Sequence, residues 1–420
     1  MKVLSLSQSD LYGGASIANY RLCEELRAFG IDVDMYAMRK DSSEEWVYFE
    51  STLLKKFNSV ILPHLDNLSK IFYGVCPEFS WSLNIFSNLS INFDLINSYD
   101  ILHVNWIGKN FIPIQSLKKI KIPIVWTLHD SWAYTGGCHV HFKCSNFKTK
   151  CGNCYQINSH RADDVSYKLW AKKKDAYKNL DLHFIAPSKW IYQQARKSSL
   201  LAQFDISIIP NGLNTEIFKP ADKVTARQIL NIPEDKKIVL FGSFSPFSSK
   251  NKGFTVMCEA YIHLCKSNKK YSNEIIFCVF GSSIPAPIEC NNIPIYNLGV
   301  INDNYKLACI YSAADFTCVP SISESFCQVA AESMACGTPV LCFKTTGLKN
   351  LVKHLINGYS AFPITSKNLS YGFEYLLKDK ALLKKMGNSA RKFAIENLEI
   401  TSVAERHLHL YSNLIASKKC

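Results

Sequence analysis

Short apolar runs rich in β-branched residues recur along this chain, and most are followed by a stretch whose apolar side chains fall at helical spacing. That alternation is the pattern of parallel strands joined by crossover helices, since parallel neighbours need a long connection and a helix covers the sheet face it crosses. It occurs as two series. The first predicts strands over residues 2–7, 33–38, 101–106, 122–129 and 183–187, and ends at 207–212. Its first helix places Ile17, Tyr20, Cys23, Leu26 and Phe29 on one face and stops at Gly30. The second series begins afresh at 236–243 and continues at 275–281, 316–321 and 339–343, with a helix expected over 303–313. The stretch NGLNTEIFKPADK between them reads as a linker. The expected organisation is an α/β chain of two Rossmann-like domains, residues 1–218 and 219–395, with residues 396–420 as a helix crossing back to the first.

Length agrees, because 420 residues exceed what one core usually supports. With 47% apolar and 20% charged residues there is material for two cores and little room for disorder. Sixteen cysteines spread through a long chain, after an opening with too short an apolar stretch for an export signal, are expected to be reduced. No apolar run reaches the roughly 18 residues of a membrane span, so the expected location is cytoplasmic, extending to the inner face of the cell membrane. The net charge of +13 is uneven: residues 101–200 hold 16 Lys/Arg against 5 Asp/Glu. The clusters Lys118-Lys119-Lys121 and Lys172-Lys173-Lys174-Lys178 read either as a solvated face or as a peripheral contact with anionic membrane lipid. No recognition motif accompanies the charge, which argues against nucleic acid.

The most specific motif is VPSISESFCQVAAESMACGTPV, residues 319–340. A strand ends near Ser321, a loop presents Glu324, and a helix from about Phe326 carries Glu332. Amides opening that helix are unpaired donors at the positive dipole end, a place for phosphate. A second motif, FGSFSPFSSKNKGF at 241–254, brings Lys252 and Lys250 into a loop after the first strand of the second series. An ammonium there can neutralise a departing diphosphate without a metal. The pair Gly13-Gly14 lets backbone approach a ligand at the first strand-to-helix turn. His129, in WTLHDSW, ends a first-domain strand; His103 reads as packing.

With these motifs the chain resembles the retaining glycosyltransferases of family 4, which have the GT-B fold, over nearly its whole length. The resemblance implies that Glu324 contacts the transferred sugar, that Glu332 meets the ribose hydroxyls, and that the amides of Ser325, Phe326 and Cys327 meet the diphosphate. Cys327 stands where the family often has Gly. Lys252 matches the Lys of a Lys-Gly pair, but the family's upstream Arg is absent; Ser243 and Phe247 occupy its places and Lys250 is the expected substitute. By the same resemblance Gly13 and Gly14 face donor phosphates, Gly281 follows a nucleotide-fold strand, backbone near Val300 reads the base, and His129 donates a hydrogen bond to a sugar hydroxyl with Asp130 orienting it or the acceptor.

The implied activity is retaining transfer of a hexose from a nucleotide diphosphate sugar to a glycan or lipid-linked acceptor in bacterial surface polysaccharide synthesis. It needs no cofactor or metal for the chemistry. A nucleotide-sugar 2-epimerase of the same fold and a non-catalytic sugar-nucleotide-binding subunit are the alternatives. Separately, Cys138, Cys144, Cys151 and Cys154 lie within seventeen residues of a basic loop, matching a structural zinc site in ligand number and type.

Overall fold

Strand β1 (Lys2–Ser9) is buried along most of its length, as a strand with helices on both faces must be. It pairs in parallel with β2 (Asp32–Arg39), which pairs with the short β3 (Val47–Tyr48). On its other side follow β4 (Ile101–Trp106), β5 (Ile124–Thr127), β6 (Leu182–Ala186) and β7 (Asp205–Ile208), all parallel. The order β3-β2-β1-β4-β5-β6-β7 reverses direction between β1 and β4. These coordinates are a computed structural model that describes residues 1–49, 53–76, 78–84, 92–244, 246–247, 249–284 and 293–419.

The chain divides into two units, Met1–Pro210 with Thr401–Cys420, and Asn211–Ile400. The division comes earlier than residue 218 because Leu213 bonds to Leu398 and Ile400, and Leu213 and Phe218 both lie in the core of the second unit. The helix Ile400–Lys419 returns Val403, Ala404 and Tyr411 to a core shared with Val3, Leu22 and Ile101 of the first unit.

The second unit holds β8 (Lys237–Gly242), β9 (Ile275–Phe280), β10 (Ile295–Gly299), β11 (Phe316–Val319), β12 (Val340–Phe343) and β13 (Gly358–Ala361) in the parallel order β10-β9-β8-β11-β12-β13. Strands β3, β10 and β13 carry no expectation from the sequence. They lie on sheet edges, where two-residue length or mixed polarity erases the apolar signal.

Three expectations shift. The helix Gly14–Ala28 buries Ser16, Ala18, Asn19, Leu22, Cys23 and Leu26, whereas Phe29 is exposed, so its inner face is rotated toward small and polar residues that pack against β1 and β4. The strand expected over 122–129 stops at Thr127, because the His129 amide turns back to the Thr127 carbonyl at 3.0 Å. The helix expected from Phe326 begins at Gln328, since Cys327 has φ +92 and cannot be a helical residue.

Candidate functional site

In the second unit the turn Lys250–Lys252 follows β8 and packs on the loop that leaves β11. Gly253 makes this contact possible: it has φ +74, and a Cβ there would stand 2.3 Å from the Pro320 carbonyl. Asn251 then ties the two segments. Its Nδ2 donates to Ser323 O at 2.8 Å, its Oδ1 accepts from Ser323 N at 3.1 Å, and its carbonyl accepts from Ile322 N at 2.9 Å. From the opposite side Thr345 Oγ1 donates to Ile322 O at 3.0 Å, Thr346 Oγ1 accepts from Glu324 N at 2.8 Å, and Gly347 N donates to Glu324 O at 2.8 Å. Every backbone donor and acceptor of residues 322–324 is therefore paired, which holds Glu324 on a rigid loop.

That rigidity fixes an ion pair. Lys252 Nζ lies 2.6 Å from Glu324 Oε1, with the two side chains 31% and 12% exposed. Burial works against the ammonium, but Glu324 and the neighbouring Cys327 outweigh it and hold its pKa above the usual lysine value. Beyond Glu324, no protein group among the described residues takes up the amide hydrogens of Ser325, Phe326 and Cys327. These amides precede the helix Gln328–Ala335, whose N-terminal dipole end adds to them. The arrangement offers an anion both open amides and an ammonium.

Glu332 lies on that helix, buried, with one carboxylate oxygen accepting from the hydroxyl of buried Tyr311 at 2.9 Å. Tyr311 escapes sequence reasoning because a buried tyrosine on a helix looks like core. At the ends of β9 and β10, Gly281 has φ +102 and a Cβ there would come within 1.9 Å of Ser243 O; its amide bonds to Gly299 O at 2.8 Å, and Val300 beside it is exposed. Neither expected Arg place bears a cation. Ser243 is buried, and Phe247 packs edge-on against Phe254 at 4.8 Å, while Lys250 opens the Lys252 turn at the surface.

In the first unit Gly13 has φ +91 with open space around its Cβ position, so the turn needs glycine for its backbone rather than for room. Gly14 begins the helix. The turn is anchored by Asp10, which sequence reasoning missed: its buried carboxylate accepts from the amides of Leu11, Asp41 and Ser42. His129 stands just past β5 with Nε2 2.8 Å from Asn105 Oδ1, and burial pushes its imidazole down to about 4.

Asp130 does not orient His129. It accepts from Trp106 Nε1 at 2.8 Å and Trp132 N at 2.7 Å, and lies 2.5 Å from His139 Nδ1. Burial opposes its charge, but His139 and these donors hold its pKa below the usual value. His103 is buried between Thr127 Oγ1 and the Tyr411 hydroxyl, both at 2.8 Å, which is a packing role.

The four cysteines of the loop expected to hold zinc are free thiols, Cys138 and Cys151 buried and Cys144 and Cys154 partly so. Burial pushes Cys151 up to about 12 and Cys154 to about 11, and raises Cys138 as well. Among the described residues no group of three or more His, Cys, Asp or Glu side chains is placed to hold a metal ion. The basic cluster also changes: Lys173 is buried, with its ammonium on the carbonyls of Trp132 and Thr135 and 3.7 Å from the Trp132 ring centre, and Lys118 pairs with Asp175.

Two family descriptions match. Residues 12–217 match Glycosyltransferase Family 4, and residues 222–393 match Glycosyl transferases group 1. An uncharacterized glycosyltransferase of Methanocaldococcus jannaschii is 21% identical over 367 residues, 83% of this chain and 86% of that protein. A D-inositol 3-phosphate glycosyltransferase of Thermobispora bispora is 34% identical over 277 residues, 62% of this chain and 58% of its own length. Among solved structures, sucrose-phosphate synthase from Thermosynechococcus elongatus superposes with TM-score 0.68 at 21% identity, covering 99% of this chain and 100% of that one. HepE of Anabaena in complex with UDP-glucose superposes with TM-score 0.68 at 16% identity, covering 98% and 100%. At these identities the two structures establish a common fold.

Proposed function

Since the chain belongs to the family 4 glycosyltransferases and has their GT-B pair of Rossmann-like units, we propose that it moves a sugar from a nucleotide diphosphate donor to a glycan or lipid-linked acceptor with retention of configuration and without a catalytic metal. The observation that carries this reading is the Lys252–Glu324 pair beside the open amides of Ser325, Phe326 and Cys327. Negative charge grows on the departing diphosphate as the glycosidic bond breaks. Amides and an ammonium already in place stabilise that charge with little reorganisation.

Pairing with Lys252 also directs the Glu324 carboxylate, which accepts from hydroxyls of the transferred sugar. Glu332, fixed by Tyr311, accepts from the ribose hydroxyls. The acceptor hydroxyl attacks on the face from which the diphosphate leaves, and a phosphate oxygen takes its proton. The binding of UDP-glucose by HepE supports a nucleotide sugar as donor.

No helix among the described residues is long and apolar enough to cross a membrane. A lipid-linked acceptor in surface polysaccharide synthesis accords with the basic residues 101–200, of which Lys173 is withdrawn into the core.

Incubation with a panel of nucleotide sugars tests the reading. Transfer releases nucleoside diphosphate, slowly without acceptor and faster with it. An altered donor sugar would instead identify an epimerase. Tight binding with no turnover would identify a sugar-nucleotide-binding subunit, the reading that Ser243 and Phe247 in place of an Arg favour.

A further inference from the structure

Among the described strands of the first unit the order reverses between β1 and β4, where open parallel sheets bind ligands beyond the strand ends, and His129 follows β5, the strand next to β4. A buried polar network runs beneath it. Ser5 of β1 donates to Asn19 Oδ1 at 2.7 Å, and Asn105 of β4 donates through Nδ2 to Asn19 Oδ1 at 2.7 Å and to Ser5 Oγ at 3.2 Å. With its nitrogen so engaged, Asn105 turns its oxygen to His129 Nε2 at 2.8 Å. With the Asn105 amide in this orientation Nε2 carries the proton, because an amide oxygen only accepts. Burial holds the ring neutral near pH 7. A neutral ring protonated on Nε2 has a lone pair on Nδ1, and no described residue donates to that atom.

We propose that Asn105 is a positioning residue that fixes His129 in the Nε2–H form, so that Nδ1 offers a hydrogen-bond acceptor to a hydroxyl of the substrate. This rests on the glycosyltransferase reading and reverses the direction implied by resemblance, in which His129 donates. It also selects chemistry. A sugar hydroxyl has a proton to give, whereas a phosphate oxygen ionised at neutral pH meets a lone pair and is turned away. The titratable groups around the ring are Asp130, next in the chain, and His103 on β4, which is buried and bonded to Thr127 and Tyr411. The Asp130 carboxylate favours a charged ring, and burial outweighs it.

Nitrogen-15 NMR of histidine-labelled protein tests the assignment without any variant of Asn105. The His129 signals, identified by their loss in His129→Gln, should show hydrogen on Nε2 and none on Nδ1 from pH 6 to 8. A proton on Nδ1 in that range overturns the proposal. The second measurement is the pH profile of Asn105→Asp. Its carboxylate still accepts from Nε2–H but adds a charge that draws a second proton onto Nδ1. For the donor that the wild type uses, kcat/KM of Asn105→Asp should fall about tenfold more than that of the wild type between pH 8 and pH 6, the loss of one hydrogen-bond acceptor. Superimposable profiles overturn it.

Donor and acceptor analogues lacking single hydroxyls then locate the partner. One of them should lose about tenfold with the wild type and nothing further with His129→Phe, as for a single lost hydrogen bond. If none does, no substrate hydroxyl meets Nδ1 and the proposal falls. Failure of the wild type to turn over any nucleotide sugar would sink the glycosyltransferase reading instead, while the NMR result still decides what Asn105 does.

Discussion

The Lys252 ammonium stands 2.6 Å from the Glu324 carboxylate although 72 residues separate them, and Asn251 bonds to three backbone groups of Ile322 and Ser323 immediately before Glu324. The lysine and the glutamate that the proposed reading sets on adjacent parts of one donor are thus mounted on segments tied to each other by three hydrogen bonds.

Turnover should depend on this mounting. Lys252→Ala and Glu324→Gln are each expected to lower kcat by about 10²–10³-fold, the usual cost of one preorganised electrostatic group. Asn251→Ala should lower it about tenfold in the wild type and much less in Lys252→Ala, because it acts through the same pair. A double-mutant cycle on initial rates measures this, and strict additivity would count against the coupling.

Tyr311→Phe removes only the hydroxyl that bonds to Glu332, and the ring remains packed edge-on against Phe280 at 5.8 Å. KM for the donor should rise about five- to tenfold with kcat little changed, as for the loss of one hydrogen bond to a charged group. Calorimetric titration with the nucleoside diphosphate should weaken in parallel.

Cys327 holds φ +92 at the start of a helix, a conformation natural to glycine alone. Cys327→Gly should therefore be more stable than Cys327→Ala by about 1 kcal/mol, the reverse of the order inside a helix. Thermal unfolding of the two variants side by side provides the comparison.

Acid should weaken the first unit before the second. Burial pushes His129, His141 and His407 down to about 4 and lowers His103 well below its usual value, so each folded value lies below that of an unfolded histidine near 6.5. The unfolded chain then binds more protons over this range, and the stability these groups confer is full above about pH 6.5 and is lost as pH falls toward about 4. The second unit carries only His263 and His354. Hydrogen exchange followed from pH 7 to pH 4.5, corrected for intrinsic rates, should show protection lost first in residues 1–210.

How far the sequence reaches is clear from particular elements. Alternating apolar runs placed most strands within two or three residues, because burial on both faces writes a continuous apolar signal into the chain. They missed Val47–Tyr48, Ile295–Gly299 and Gly358–Ala361, which are edge strands. The Lys252-Gly253 pair and the two glutamates eight apart were legible because a turn and a helix are local structures with fixed spacing.

What tertiary structure alone decided are the partners. Asn251 on Ser323, Thr346 on Glu324, Tyr311 on Glu332 and Asn105 on His129 are side-chain bonds between segments 21 to 72 residues apart. No periodicity encodes such a meeting, since periodicity reports how one segment lies against its own face and not which neighbour completes a donor or an acceptor. The sequence determined that there would be two parallel α/β sheets and which turns carried charge. The folded chain determined which atoms those charges face, because the direction of a hydrogen bond is set only once both ends are in place.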